Sequence, residues 1–247
     1  MTHISYVDSL KQDQSVLGVR YGAAFFHSRQ ALWALSSYWD RYEALFGSAE
    51  RVAVLNANSG QFWHATQQVL FDHVLLGVCR LTDPPQTGKR QNLTLAQLYE
   101  LDPTSHKVEL ARLVGRAEKR AEFARSWRNK RIAHNDFDQI TGPVNSLAPA
   151  TRNKVRSAII GIHDVLRWIH LKHFGGDMFL PELGDDDTNQ MMRGLADGNA
   201  VREMRLQALR DNDYAAAQLP KYDWAKRSTR DERYSKRIAL RVRRRAT

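Results

Sequence analysis

The chain has 247 residues, 43% hydrophobic and 26% charged, which suits one sizeable globular domain or two small ones. One cysteine, Cys79, excludes an internal disulfide, and no window reaches the roughly 18 consecutive apolar residues of a membrane span. The net charge of +10 is uneven: the segment from Lys221 onward holds 11 of the 37 basic and 3 of the 27 acidic residues, leaving residues 1–220 at only +2.

Asp8, Lys11 and Asp13 interrupt the N-terminal stretch, so no signal peptide is expected there, and a cytoplasmic location is expected. With 14 Gly and 7 Pro, clustered between apolar-periodic segments, the composition predicts an all-α protein. The first long helix carries Phe25, Leu32, Leu35, Trp39, Tyr42 and Phe46, a seam suited to packing on another helix, and Gly47-Ser48 closes it. The second is expected over about 62–80, beginning near Val52, with Asn58-Ser59-Gly60 as a kink or break. Its apolar face would run through Val69, Leu70, Leu75 and Leu76, and Asp83-Pro84-Pro85 would stop it. Cys79 lies in its apolar run and reads as a small buried hydrophobe. Residues 84–92 read as a polar loop and 92–101 as a short helix ended by Asp102-Pro103.

A third long helix is expected from a Thr104 or Ser105 cap to about Ile132, with a stripe through Leu110, Val114, Ala117, Ala121 and Ala124. The next position in that stripe is Arg128. A guanidinium in line with an apolar face either snorkels to solvent or has a partner, because burying it alone is costly. After Gly142-Pro143 a fourth helix, about 150–173, presents Val155, Ile159, Ile162, Leu166 and Ile169, and Gly175-Gly176 ends it. A fifth, about 189–209, would be weakened by Gly194 and Gly198. The architecture predicted is an antiparallel helical bundle over 1–175, a loop and additional helix over 176–220, and a basic tail over 221–247 that could stay disordered.

The chemistry concentrates in Trp127-Arg128-Asn129-Lys130-Arg131-Ile132-Ala133-His134-Asn135-Asp136. Arginine holds a phosphate through paired charge-assisted hydrogen bonds, and histidine moves protons near neutral pH. On a regular helix Arg128 and His134 would stand about 120° apart, so one copy would not assemble both on one face unless the helix ends near Ala133. A site shared across a two-fold axis would also supply two histidines, one base and one acid. Asp136 could orient His134 or cap the following segment, and Asp83 could pair with Arg80, line a cleft or merely end its helix. Lys130 and Arg131 could bind flanking phosphates or form a solvated charged face. His163, His170 and His173 share one helical side, but the sequence has no HExxH or CxxC, so no metal is expected.

The segment Arg128-Asn129-Lys130-Arg131-Ile132-Ala133-His134 resembles the Arg-x4–6-His motif of the HEPN superfamily (higher eukaryote and prokaryote nucleotide-binding). The abortive-infection, AbiU-like branch is the most similar in wider context: Trp-Arg-Asn-Lys, Ala-His and then Asp136, preceded by Cys79-Arg80-Leu81-Thr82-Asp83-Pro84 at the end of an earlier helix. The resemblance spans roughly residues 14–175. It implies a homodimeric helical bundle and a metal-independent endoribonuclease acting in phage defence or toxin–antitoxin systems, without a cofactor. His134 would be the general acid or base, Arg128 would stabilise the phosphorane, and Asn129 would orient one of them or the phosphate. A non-catalytic HEPN module that binds RNA, nucleotide or a partner protein is the alternative. An antitoxin or nucleotidyltransferase is a further candidate partner, although Asp136 stands where nucleotidylated relatives carry tyrosine.

In the tail, Tyr222, Trp224 and Tyr234 alternate with basic residues that end in Arg243, Arg244 and Arg245. Such a pattern suits RNA, with aromatics stacking on unpaired bases, and five to eight phosphate contacts would give a logarithmic salt slope of roughly −4 to −7. An antitoxin-binding or ribosome-docking arm, or a solvated tail, would have the same composition.

Overall fold

A computed structural model of the chain describes residues 5–103, 107–132, 147, 149–180 and 186–218. Helix α1 (Tyr6–Leu17) starts where the Ser5 hydroxyl accepts a hydrogen bond from the Asp8 amide, 3.1 Å. Gly18 ends it at φ 85°, a conformation that favours glycine, and the chain turns directly into α2 (Val19–Phe46). Helix α1 was not among the expected elements. Its anchor is polar: Asp13, 2% exposed, meets the Arg29 guanidinium at 2.9 Å, and Arg29 in turn lies over the Phe25, Phe26 and Trp33 rings.

Helix α3 (Ala49–Thr82) is longer than expected because the Ser48 hydroxyl caps it ahead of Val52. The anticipated kink is real and falls at Ser59, whose φ of −164° and ψ of 76° are not helical. The side chain of Asn58 bonds the Val54 and Leu195 carbonyls beside it, at 2.9 and 3.3 Å. The buried face of α3 runs through Val74, Leu75, Val78 and Cys79, whereas Val69 is 68% exposed and Leu76 only half-buried. At about 100° per residue the 69–76 line lies nearly opposite the true core stripe, which corrects the expected face except at Leu75, which is buried.

The loop after Pro84 contains a small antiparallel hairpin, β1 (Gln86–Thr87) and β2 (Arg90–Gln91). Helix α4 (Leu95–Leu101) is capped by Thr94. The stretch expected as one helix to Ile132 is three elements: α5 (Lys107–Arg120), α6 (Glu122–Trp127) and a π-helical turn, Arg128–Ile132. Helix α7 (Arg152–Phe174) carries the predicted face, with Val155, Ile159, Ile162, Leu166 and Ile169 all buried, and Gly175 ends it in the left-handed region. Helix α8 (Asp186–Arg210) passes through Gly194 and Gly198 without interruption.

The described residues of Met1–Leu195 thus form an α-helical bundle, with the two-stranded hairpin as a small exception. Helix α2 packs along α1 and α3, and α7 packs along α5 and against α2. The core joins the α2 seam (Phe25, Leu32, Leu35, Trp39) to α3, α4, α5 and α7. A satellite cluster of Leu45, Leu55 and Met192 brings the start of α8 onto α2 and α3, where Arg51 also bonds Asn189 at 2.7 Å. The chain divides into two compact units, Met1–Leu195 and Ala196–Thr247. Among the described residues, no helix is long and apolar enough to cross a membrane.

Candidate active site

The site is built where α3 stops and α6 gives way to the π turn. Asp83 closes α3 with its backbone, donating its N–H to the Cys79 carbonyl at 2.7 Å, and Pro84 prevents continuation. The side chain is therefore free to point elsewhere. It pairs with Arg128: Asp83 Oδ2 accepts from Arg128 Nη1, and the two side chains are 21% and 26% exposed. Asn129 Oδ1 accepts from Arg128 Nε at 3.1 Å. The apparent misfit of Arg128 in an apolar stripe is thereby resolved: it is an anchored, partly desolvated cation rather than a snorkelling one. Asp83 Oδ1 is buried without a hydrogen-bond partner among the described residues. Arg80 is exposed and does not take the carboxylate.

Arg125, which the sequence did not single out, sets the path of the backbone. At Ala121 (φ −92°, ψ −4°) the helix breaks, and the Glu118 carbonyl receives a short-range bond from the Ala121 amide at 3.2 Å. Arg125 Nη2 donates to the same Glu118 carbonyl at 2.6 Å, while its Nη1 reaches the Thr82 carbonyl and hydroxyl at 3.2 and 3.3 Å. One guanidinium therefore ties the carbonyl at the break to the last turn of α3. Thr82 is held in return by donating its hydroxyl proton to the Val78 carbonyl, 2.8 Å.

Trp127 fixes the other flank, meeting Phe71 edge-to-face at 5.6 Å; Phe71 continues through Tyr42 to Trp39. Arg131 covers the Trp127 ring at 5.2 Å, and its charge partly offsets the burial that pushes the Asp72 carboxyl above its ordinary value. Asn129, Lys130 and Arg131 are exposed. The turn from Arg128 to Ile132 is π-helical, so its bonds close over five residues instead of four, and the regular 100° spacing does not hold across it. His134 and Asp136 lie outside the described residues, as do Arg243, Arg244 and Arg245.

Cys79, directly beneath the site, is 1% exposed, and burial pushes its thiol up to about 11, against the opposing pull of Arg128 and Arg125. It is a packing residue, not a nucleophile. Two of the three helical histidines have other partners: His163 Nε2 donates to the Met178 carbonyl at 2.8 Å and His170 Nδ1 to that of Gly176 at 2.9 Å. These two bonds fold the segment after α7 back onto its own helix. Among the described residues, no three His, Cys, Asp or Glu side chains are grouped to hold a metal ion.

The sequence pattern of the AbiU2 HEPN family matches residues 24–192, so the chain belongs to that abortive-infection family and, through it, to the HEPN superfamily. Asp83, Arg125, Arg128, Asn129, His134 and Asp136 fall within that range. Comparison with curated proteins and with solved structures gave no match.

Proposed function

We propose that this protein is a metal-independent endoribonuclease of phage defence, cutting RNA at a site that two chains complete. The observation that carries the reading is the Arg128 arrangement: a guanidinium held by Asp83 and Asn129 at a π turn, six positions before His134 in the chain. Such a fixed cation costs no reorganisation when phosphoryl charge builds up.

In the reaction proposed, the ribose 2′-oxygen attacks the adjacent phosphorus while its proton passes to one His134. The new O2′–P bond forms as the P–O5′ bond breaks, and the second His134 gives a proton to the departing 5′-oxygen. The products are a 2′,3′-cyclic phosphate and a 5′-hydroxyl. Arg128 neutralises charge on the non-bridging oxygens, and Asp83 and Asn129 keep it aimed. Lys130 and Arg131, both exposed, would contact neighbouring phosphates, as would Arg243, Arg244 and Arg245 of the tail. Asp136 would orient His134.

The test is cleavage of RNA in EDTA by wild type, His134→Ala and Arg128→Ala. Expected is a product with cyclic-phosphate ends and a loss of about 10²-fold or more in either variant, the usual scale for a lost acid–base group. Wild-type rates in His134→Ala, or dependence on a divalent cation, would refute the mechanism. Mixing the two inactive variants should not restore cleavage, since their heterodimer carries one His134 and the mechanism uses two; recovered activity would show that a single histidine suffices. One observation favours a second reading: two of the Arg128 nitrogens are already engaged within the chain. A non-catalytic RNA-, nucleotide- or protein-binding module would use Arg128 in that way, and tight RNA binding with no cleavage would select it.

A further inference from the structure

A groove of about 420 Å³ opens beside the break at Ala121, on the side of α5 and α6 that faces the first turns of α7. Lys119 and Arg120 reach it from before the break, Phe123 and Ser126 from after it, and Lys154 and Ser157 from α7. Elsewhere on the surface Arg112 pairs with Glu109, Arg156 with Glu43 and Arg167 with Asp177. In the groove, Lys119 and Lys154 are both exposed and form no ion pair among the described residues, while Arg120 pairs with Asp164 at 3.6 Å. Glu122 is the single carboxylate in the lining, so the two lysines leave it with an excess of positive charge.

Gly161 is part of how the groove is made. A Cβ there would stand 3.1 Å from Arg120 Cδ, 3.4 Å from its Nη1 and 3.2 Å from Ala117 Cα. Glycine thus lets α5 lie close on α7 and lets the Arg120 guanidinium rest against that helix. Below the cations, buried Phe123 supplies an apolar floor, and the half-buried hydroxyls of Ser126 and Ser157 supply short donors. Cationic and hydroxyl donors over an aromatic floor, in a volume of this size, fit a phosphate attached to one flat apolar group. Neither Arg128 nor Asp83 lines this groove, so it is separate from their pair.

We propose that the groove is a second phosphate site, binding a nucleotide-sized ligand that is either a free nucleoside phosphate or the 5′-phosphorylated end of an RNA strand. It does not rest on the ribonuclease reading, and Arg128→Ala protein should bind the ligand as wild type does.

The probes are ADP and a 2′-O-methyl trinucleotide, with and without a 5′-phosphate, titrated calorimetrically at about 0.15 M salt into the full chain. Lys119→Glu/Lys154→Glu should weaken the phosphorylated probe by about tenfold or more, having lost two charge-assisted contacts. Lys11→Glu/Lys172→Glu, with the same change in net charge on exposed residues away from the groove, should leave affinity unchanged. All four are surface lysines, and an unaltered melting temperature verifies that each variant folds. Loss of ADP binding supports the free nucleotide as the source; loss confined to the 5′-phosphorylated trinucleotide supports the strand end. No binding by any probe, equal binding with and without the 5′-phosphate in the absence of ADP binding, or undiminished binding by the reversed variant would overturn the proposal.

Discussion

Removing the Asp83 carboxylate should measurably weaken the fold through Arg128 alone. The backbone of Asp83 does the capping of α3, so Asp83→Ala leaves that bond in place and deletes only the ion pair. A fully exposed pair contributes about 0–1 kcal/mol, and stranding one member of a fully buried pair costs about 3–5 kcal/mol. With the two side chains 21% and 26% exposed, the variant should lose about 2 kcal/mol, and the coupling between the residues should be about 1–1.5 kcal/mol. Urea unfolding of wild type, Asp83→Ala, Arg128→Ala and the double variant gives that coupling directly. At about 2–4 °C per kcal/mol, the Asp83→Ala melting midpoint should fall by about 4–8 °C. Additive single losses, with coupling indistinguishable from zero, would show that the pair holds nothing and that Arg128 is not anchored by it.

Arg125→Ala should cost about 2–3 kcal/mol, because it strips charge-assisted donors from the Glu118 and Thr82 carbonyls at once. Arg125→Lys should restore little, since an ammonium cannot span both acceptors as the planar fork does; full rescue in thermal melts would contradict the staple. His173 should make stability pH-dependent. Its Nε2 is buried without a hydrogen bond among the described residues, and desolvation depresses its pKa against the pull of Asp102. Below about pH 6.5 the unfolded chain takes up a proton before the folded one, so stability falls from that pH down to the folded pKa and then levels. The difference in urea midpoint between wild type and His173→Gln, followed from pH 7.5 to 5.5, should narrow as pH falls; a constant difference would rule this out.

How far the fold could be read depends on where each element gets its specification. The α7 face was legible because five aliphatic residues at helical spacing all enter the core. The α3 face was not, since Val69 and Val74 look alike in the chain and only neighbouring helices decide which is covered. Nor could the break at Ala121 be foreseen: alanine is the best helix former, and the interruption is matched by a guanidinium four residues later and a carbonyl from α3. At the site, the oddity of Arg128 was visible as a charge in an apolar stripe. Its partner was not, because Asp83 lies 45 positions earlier and reads as an ordinary helix stop. Arg125 carried no signal that set it apart from its basic neighbours.

The buried Cys79 thiol has a practical corollary. With one cysteine in the sequence, 1% exposed and held in its unreactive protonated form, the native protein is nearly silent to maleimide chemistry. A thiol introduced at exposed Lys130 would therefore be a unique attachment point for a spin label. In a two-chain assembly built around Arg128, a pair of such labels would report the spacing between the two sites without any cysteine having to be removed first.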